Sequence, residues 1–424
     1  MVVEGSFPHN SLHLSTSCRH PVRILHLPKW YPHRYDDQDG DFVARHVAAI
    51  AAHGGVGGGP VQSAVVFAAV ARGPLPTLLA EDHDLVGPVP TWRYYYRARP
   101  TGLLPLDKLL KLGLWLECQR RGLRAVRRHW AGARPSVVHA HVLFRPAALA
   151  WWLRLWHGIP YLITENWTAF QPGNVERLGR LRRWLAGFLV RQAAAYTPVS
   201  DDLRRALAAL GGVNAHTVII PNVVDTELFH PPATAATRYG LLNVAAFNEK
   251  AKNLSGLLRA VAHLRATAPT LPGLHLRIAG YGPAEAQMHQ LAAALGLLAD
   301  DTVEFLGKLT SAQVAAEMRR ASCFVLFSNY ENLPCVLIEA QASSLPAVAT
   351  RVNGVPELLL PDGQAGLLVP PADEAALAEA LRAVLTAPAG HFDAAALRAR
   401  AVAEFSYPAV GRAFGAVYAR ILGQ

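Results

Sequence analysis

The segment "YENLPCVLIEAQA", residues 330–342, sets two carboxylates eight positions apart, Glu331 and Glu339, around an apolar run that opens near a proline. Glu331 follows the strand-like run "CFVLFS" (323–328) in the loop "NYENLP". Pro334 is well placed as the first residue of a helix over 335–343, where its fixed φ fits and its missing N–H costs nothing. Glu339 then lies a little more than one turn inside that helix. This spacing predicts one carboxylate at the rim of the strand's carboxyl end and the other on the helix flank. Between them come the free N–H groups of the helix start, around Leu333, Cys335 and Val336, which with the helix dipole make an anion site. A carboxylate accepts two hydrogen bonds at once from vicinal hydroxyls. Carboxylate, anion cradle, carboxylate therefore matches a molecule with hydroxyls at both ends and a diphosphate in the middle, a nucleotide sugar. The alternative is one loop acid and one ordinary helix-surface acid.

Elements able to position such groups recur along the chain. Its 424 residues exceed one ordinary core and point to two domains. In the first half, strand-like runs at 22–27, 62–70, 136–142, 160–164 and in "AYTPVS" alternate with helical ones at 42–54, 105–130, 147–157, 176–192 and 201–210. The second half repeats the pattern. Strands are expected at 241–247, 274–280, 302–307 and 323–328, with short ones in "PAVAT" and "GLLVP". Helices are expected at 253–267, 283–296, 310–321, 335–343, 373–387 and 407–422. Such alternation is the signature of parallel sheets covered on both faces, an α/β fold. The halves meet near "VIIPNVVDTELFHPPAT" (218–234). The expected organisation is a flexible extension over 1–20, domains at 21–222 and 223–406, and a final helix at 407–424. "HGGVGGGP" (53–60) is not a phosphate loop, because its glycines follow a helix and precede a strand.

Charge separates the halves. Residues 1–225 hold 26 Lys+Arg and 15 Asp+Glu, whereas residues 226–424 hold 15 and 16. Much of the excess lies in "RRGLRAVRRHW" (120–130) and "RLGRLRRWL" (177–185), where arginines interleave with Leu and Trp. That pattern suits a helix lying on anionic lipid headgroups, or a solvated basic face. No nucleic-acid module accompanies the charge, so nucleic acid is not an expected partner. Four scattered cysteines without metal-ligand spacing fit a reducing compartment. With no signal-like or membrane-spanning run, the expected location is the cytoplasm.

In order along the chain, "ILHLPKWYP…GDFVARHVAAIAAHG", "VHAHVLF", "PYLITENWTAF", "TPVSDDLRRAL" and "VIIPNVVDTELF" are followed by "EKAKNLSGLLRAV", "RIAGYGP", "VEFLGKL", "SNYENLPCVLIEAQASSLPAVAT", "NGVPELL" and "GLLVPPAD". This ordered set resembles the retaining glycosyltransferases of the glycogen-synthase-like group (glycosyltransferase family 4, or group 1). Their GT-B architecture sets two Rossmann-like domains face to face. The resemblance implies that Glu331 holds hydroxyls of the donor sugar and Glu339 those of the ribose. Backbone around Leu333, Pro334 and Cys335 would face the diphosphate and sugar, and Lys252 would take the family's diphosphate-binding lysine. The family's arginine position is filled here by alanine, Ala245 or Ala246, leaving Lys250 or an arginine from elsewhere to substitute. Gly307 and Lys308 resemble the part that holds the base.

Open α/β sheets bind ligands beyond the carboxyl ends of their strands. In the first half those positions hold Trp30, Tyr31, His139, His141, Glu165, Asn166 and Trp167. Asn166 stands where relatives often carry a histidine, which removes acid–base chemistry there and leaves His141 as the next candidate. The final helix resembles one that crosses back onto the first domain, and domain closure would exclude water.

The reaction implied is glycosyl transfer from a nucleoside diphosphate sugar to a hydroxyl of a carbohydrate or lipid-linked acceptor, with retention. No other cofactor is expected. No Asp-x-Asp occurs in the second half, and "DQD" (37–39) belongs to the first, so metal independence is expected. The rival readings are a nucleotide-sugar epimerase on the same architecture and a non-catalytic glycan-binding or scaffold protein.

Overall fold

A computed structural model describes residues 21–97, 101–233, 238–359, 364–388 and 390–424; the extension 1–20 lies outside them. The first sheet is built from β1 (Val22–Pro28), β2 (Val61–Val70), β3 (Leu79–Asp84), β4 (Thr91–Tyr96), β5 (Val137–His141), β6 (Tyr161–Glu165) and β7 (Ala195–Pro198), in the order β3-β4-β2-β1-β5-β6-β7. All its pairs are parallel except β3–β4. β5, β6 and β7 are buried at every position, the mark of parallel strands covered on both faces. The second sheet is parallel throughout: β8 (Leu241–Val244), β9 (Leu276–Ala279), β10 (Val303–Gly307), β11 (Cys323–Leu326), β12 (Ala347–Thr350) and β13 (Gly366–Val369), in the order β10-β9-β8-β11-β12-β13.

Two strands escape the sequence reading. β3, "LAEDHD", is a polar edge strand paired antiparallel to β4, so no apolar run marks it. β4 itself is a six-residue aromatic run, "TWRYYY". The expected helix 176–192 is instead a 3₁₀ turn, Val175–Arg177, followed after Gly179 by the helix Arg180–Gln192. Pro334 is the cap rather than the first helical residue, with ψ at 119° before the helix Cys335–Ala342.

The last helix, Tyr407–Leu422, does cross back and packs along the helix Asp41–His53 of the first domain. Glycine makes this approach feasible, since a Cβ on Gly411 would lie 2.4 Å from the Ala49 carbonyl oxygen. Deeper in, Tyr418 OH lies 2.7 Å from Nδ1 of His139 on β5. The carboxyl ends of the two sheets thus face one another across a cleft bridged by polar contacts.

Candidate functional site

The cleft holds a cavity of about 920 Å³. From the first domain it is lined by the loop Asp36–Asp41, by Phe42 and by Arg45. From the second come Ala245 and Ala246 after β8, Gly280–Pro283 after β9, Lys308 after β10, and Cys335, Val336 and Glu339. Glycine is required at Gly280, where φ is +146° and a Cβ would lie 1.8 Å from the Ala245 carbonyl oxygen. Pro334 carries no N–H, so the donors at this helix start belong to Cys335 and Val336. Burial pushes the Cys335 thiol up to about 12, so it stays protonated and inert as a nucleophile.

Glu339 points into the cavity and is engaged by a residue from the other domain: Arg45 Nη1 lies 2.6 Å from Glu339 Oε1, and Arg45 Nε lies 2.6 Å from Asp41. Desolvation opposes the charge on Arg45, but Glu339 and Asp41 outweigh it and raise its pKa. Sequence reasoning missed Arg45, because nothing in "DFVARHV" tells which domain its arginine will face.

Glu331 and Lys252, 79 positions apart, meet: Lys252 Nζ lies 2.5 Å from Glu331 Oε1, which also accepts from Ser328 at 2.7 Å. Lys250 lies apart from the large cavity. It lines a smaller one of about 340 Å³ with Asn329, Tyr330 and Asn353 from its own domain and Asn174 and Arg177 from the first. Gly307 ends β10 in the left-handed region, φ +67°, and Lys308 bonds Asp37 across the cleft at 2.5 Å.

The loop containing "DQD" also comes to the cavity, contrary to the expectation that the first domain would keep it away. Its aspartates already have partners. Asp36 accepts from Tyr281 at 3.3 Å, Asp37 pairs with Lys308, Asp39 lies 3.4 Å from His33, and Asp41 holds Arg45.

On the acceptor side the placements divide. Asn166 Nδ2 donates to Asn222, whose Nδ2 donates to the Leu333 carbonyl at 2.6 Å, tying this loop to the one carrying Glu331. Asn332 extends the bridge by accepting from Gln171 and Ser200. Asn166 Oδ1 and Asn332 Nδ2 are buried without partners among the described residues. Trp30 and Trp167 meet edge to face at 5.7 Å, and Lys29 lies 3.1 Å from the Trp167 ring centre. Burial brings the Lys29 pKa down to about 8, partly offset by Glu165.

None of Trp30, Tyr31, His141, Glu165, Asn166 and Trp167 lines the cavity, and Tyr31, Glu165 and His141 are buried elsewhere. Tyr31 packs with Val43, Val47 and Phe67 in a small core cluster. Glu165 is fully buried and accepts from the backbone amides of Leu143, Asn166 and Trp167 at 2.8, 3.0 and 2.7 Å. Burial pushes its pKa up to about 7 against the pull of those amides and Lys29. His141 is fully buried with His26 and His139, and desolvation holds all three below the ordinary imidazole value. Their ligand atoms lie within 4.8 Å of one another, a metal-like grouping. Yet Ser63, Tyr418, Thr164 and the His26–His141 contact already occupy five of the six ring nitrogens, leaving Nδ1 of His141. Alternation along β5 sends positions 139 and 141 to one face, and here that face is covered by the last helix.

Residues 16–223 match the family described as glycosyl transferase 4-like domain, and residues 238–387 match glycosyl transferases group 1. The chain is 31% identical over 327 residues to a glycogen synthase of Mycobacterium tuberculosis, covering 70% of this chain and 72% of that protein. It is 29% identical over 282 residues to an MMP alpha-(1->4)-mannosyltransferase of Mycolicibacterium hassiacum, covering 66% of this chain and 62% of the relative's length. Among solved structures, sucrose-phosphate synthase from Thermosynechococcus elongatus superposes with a TM-score of 0.71 at 21% identity, over 93% of this chain and 98% of that one.

Proposed function

The chain belongs to the glycogen-synthase-like group of GT-B glycosyltransferases, and from that premise we propose that it moves a sugar from a nucleoside diphosphate sugar to an acceptor hydroxyl, with retention and without a metal. The observation that carries this reading is a cavity whose wall holds Glu339 and a helix N-terminus, on the same loop–helix segment that presents Glu331 to Lys252. In the proposed complex Glu339 takes the ribose hydroxyls, and the amides of Cys335 and Val336 take the diphosphate. The turn at Gly307 and Lys308 receives the base. Glu331 holds the donor sugar while Lys252 neutralises charge on the leaving diphosphate, the largest catalytic contribution in such a site.

In the proposed complex the ribose displaces Arg45 from Oε1 of Glu339. Freed at the same helix start, Arg45 supplies the second diphosphate cation that Ala245 and Ala246 lack. With His141 buried, the acceptor proton passes to a phosphate oxygen of the donor. Metal independence is supported by the pairing of each cleft aspartate, and predicts activity undiminished by EDTA.

The acceptor is proposed to be a carbohydrate or lipid-linked molecule met at the inner face of a membrane. Exposed Leu181 and Trp184 on the helix Arg180–Gln192, beside Arg180 and Arg182, support a peripheral contact with anionic lipid. Among the described residues no helix is long and apolar enough to cross a membrane. The relatives favour neither the epimerase nor the scaffold reading.

Calorimetric titration with UDP and GDP in EDTA, alongside Glu339→Ala, tests the proposal. Binding that the variant loses is the expected result. Failure of both nucleotides, and then of ADP and CMP, would remove the transferase reading.

A further inference from the structure

A second cavity, of about 820 Å³, lies in the first domain between the helices Leu104–His129 and Arg145–His157. Its size is within the range of sites that enclose small ligands, roughly 300–1,000 Å³. It arises because the two helices rest on different strands. The first sits on β2 and β4, drawn down at Gly122, where a Cβ would lie 2.2 Å from Val66. The second sits on β5, β1 and β6. The trough left between them has an apolar floor that includes Val126, Leu149 and Leu153. Its lips, Leu112, Leu116 and Trp152, are 42%, 47% and 45% exposed. A 13-residue helix along one wall makes it about 20 Å long.

Arginines stand at both ends of the trough. At the cleft end stands Arg145, the first residue of its helix, which donates to Tyr96 OH at 3.3 Å and lies 5.8 Å from the Trp115 ring centre. Arg145 and Arg182 stand close enough to Lys29 to help lower its pKa, after burial. Lys29 in turn lies on Trp167, beside the loop that reaches Glu331 through Asn166 and Asn222. Arg120, Arg124, Arg127 and Arg134 edge the remainder, Arg120 being paired with Glu117, and among the described residues no acidic residue lines the trough. An apolar channel edged by arginines complements a hydrocarbon chain with an anionic head, and its Arg145 end adjoins, through Lys29 and Trp167, the loop tied to the one carrying Glu331.

We propose that this groove holds the hydrocarbon chain of a phosphate-bearing lipid acceptor, with the phosphate at Arg145 and Lys29. The proposal rests on the transferase reading and names its acceptor class. It is tested by calorimetry with n-dodecyl phosphate below its micelle concentration, against butyl phosphate and dodecyltrimethylammonium. Dodecyl phosphate is expected to bind at least ten-fold more tightly than either. Ala148→Trp fills the groove and should weaken dodecyl phosphate at least ten-fold while leaving butyl phosphate unchanged. Leu116→Asp, on the exposed lip, provides the same reading if the filled variant does not fold. Arg145→Glu should weaken both phosphates.

Equal binding of the two phosphates, or dodecyl phosphate binding untouched by both groove variants, overturns the proposal. So does adsorption to phosphatidylglycerol vesicles with no binding of the monomeric alkyl phosphate, which would leave only a membrane-facing surface. Titration with UDP and GDP separates the two readings. Nucleotide binding without alkyl phosphate binding sinks the groove alone. Alkyl phosphate binding without binding of any nucleotide, ADP and CMP included, leaves a lipid-binding groove but removes the transferase reading and with it the acceptor role.

Discussion

Glu331 and Glu165 are both buried carboxylates near the carboxyl end of a buried strand, one in each domain, and their surroundings make them different groups. Glu331 faces the ammonium of Lys252 at 2.5 Å, a direct charge partner. Among the described residues Glu165 has no cation as a hydrogen-bond partner and is held by three backbone amides, which lock residue 143 against residues 166 and 167. The first arrangement leaves a charge pair where a ligand can rearrange it. The second closes a loop and leaves its acid half-protonated near neutrality, because burial has pushed it to about 7. Burial alone therefore does not decide what a carboxylate can do; the identity of its partner does.

The comparison breaks most readily at Glu331. Glu331→Gln keeps the shape and removes the charge, and is expected to reduce kcat/KM by roughly 10²–10³, with nucleotide affinity changed only slightly in calorimetry. An equal loss of nucleotide binding would mean that the pair is a structural brace like Glu165.

Glu165 should instead write its effect into stability. Its folded pKa lies above the 4.5 of an ordinary glutamate, so between 4.5 and about 7 the folded chain holds a proton that the unfolded chain has released. Its contribution is fully present below pH 4.5 and is lost as pH rises towards 7, a fall on the order of 3 kcal/mol. Thermal melts from pH 4.5 to 7.5 should show this fall in the native protein and a flatter profile in Glu165→Gln. Parallel profiles would refute it.

Arg45 sharpens the contrast by a smaller step. If it moves from Glu339 to the diphosphate, Arg45→Ala should weaken UDP or GDP about ten-fold, or about 1.4 kcal/mol. Tighter binding by the variant would make Arg45 a competitor of the nucleotide rather than its ligand. The smallest effect is expected at His141: His141→Asn should change kcat by less than about three-fold and leave the pH–rate profile in place, because a general acid–base contribution would be about 10²-fold or more.

Much of the second domain was legible because its site is local. Glu331, Pro334, Cys335, Val336 and Glu339 lie within nine positions, and the strand–loop–helix they form follows from apolar runs and one proline. Lys252 is distant in sequence but sits at a strand–helix junction of the same sheet. The first domain was less legible. β3 carries its acids on an edge that no apolar period marks. The fate of His139 and His141 depends on which helix covers their face of β5, and that helix begins 266 positions after His141.

By itself, then, the sequence determined the alternation of strand and helix, the two sheets, and the strand–loop–helix segment that carries Glu331 and Glu339, because each rests on neighbours a few residues apart. Only the tertiary structure decided that Arg45 would reach Glu339, that the aspartate loop would enter the cleft, and that His141 would lie beneath the last helix. Those outcomes depend on how two domains and a crossing helix pack. Packing is set by the summed shape and burial of many distant side chains, not by any local spacing.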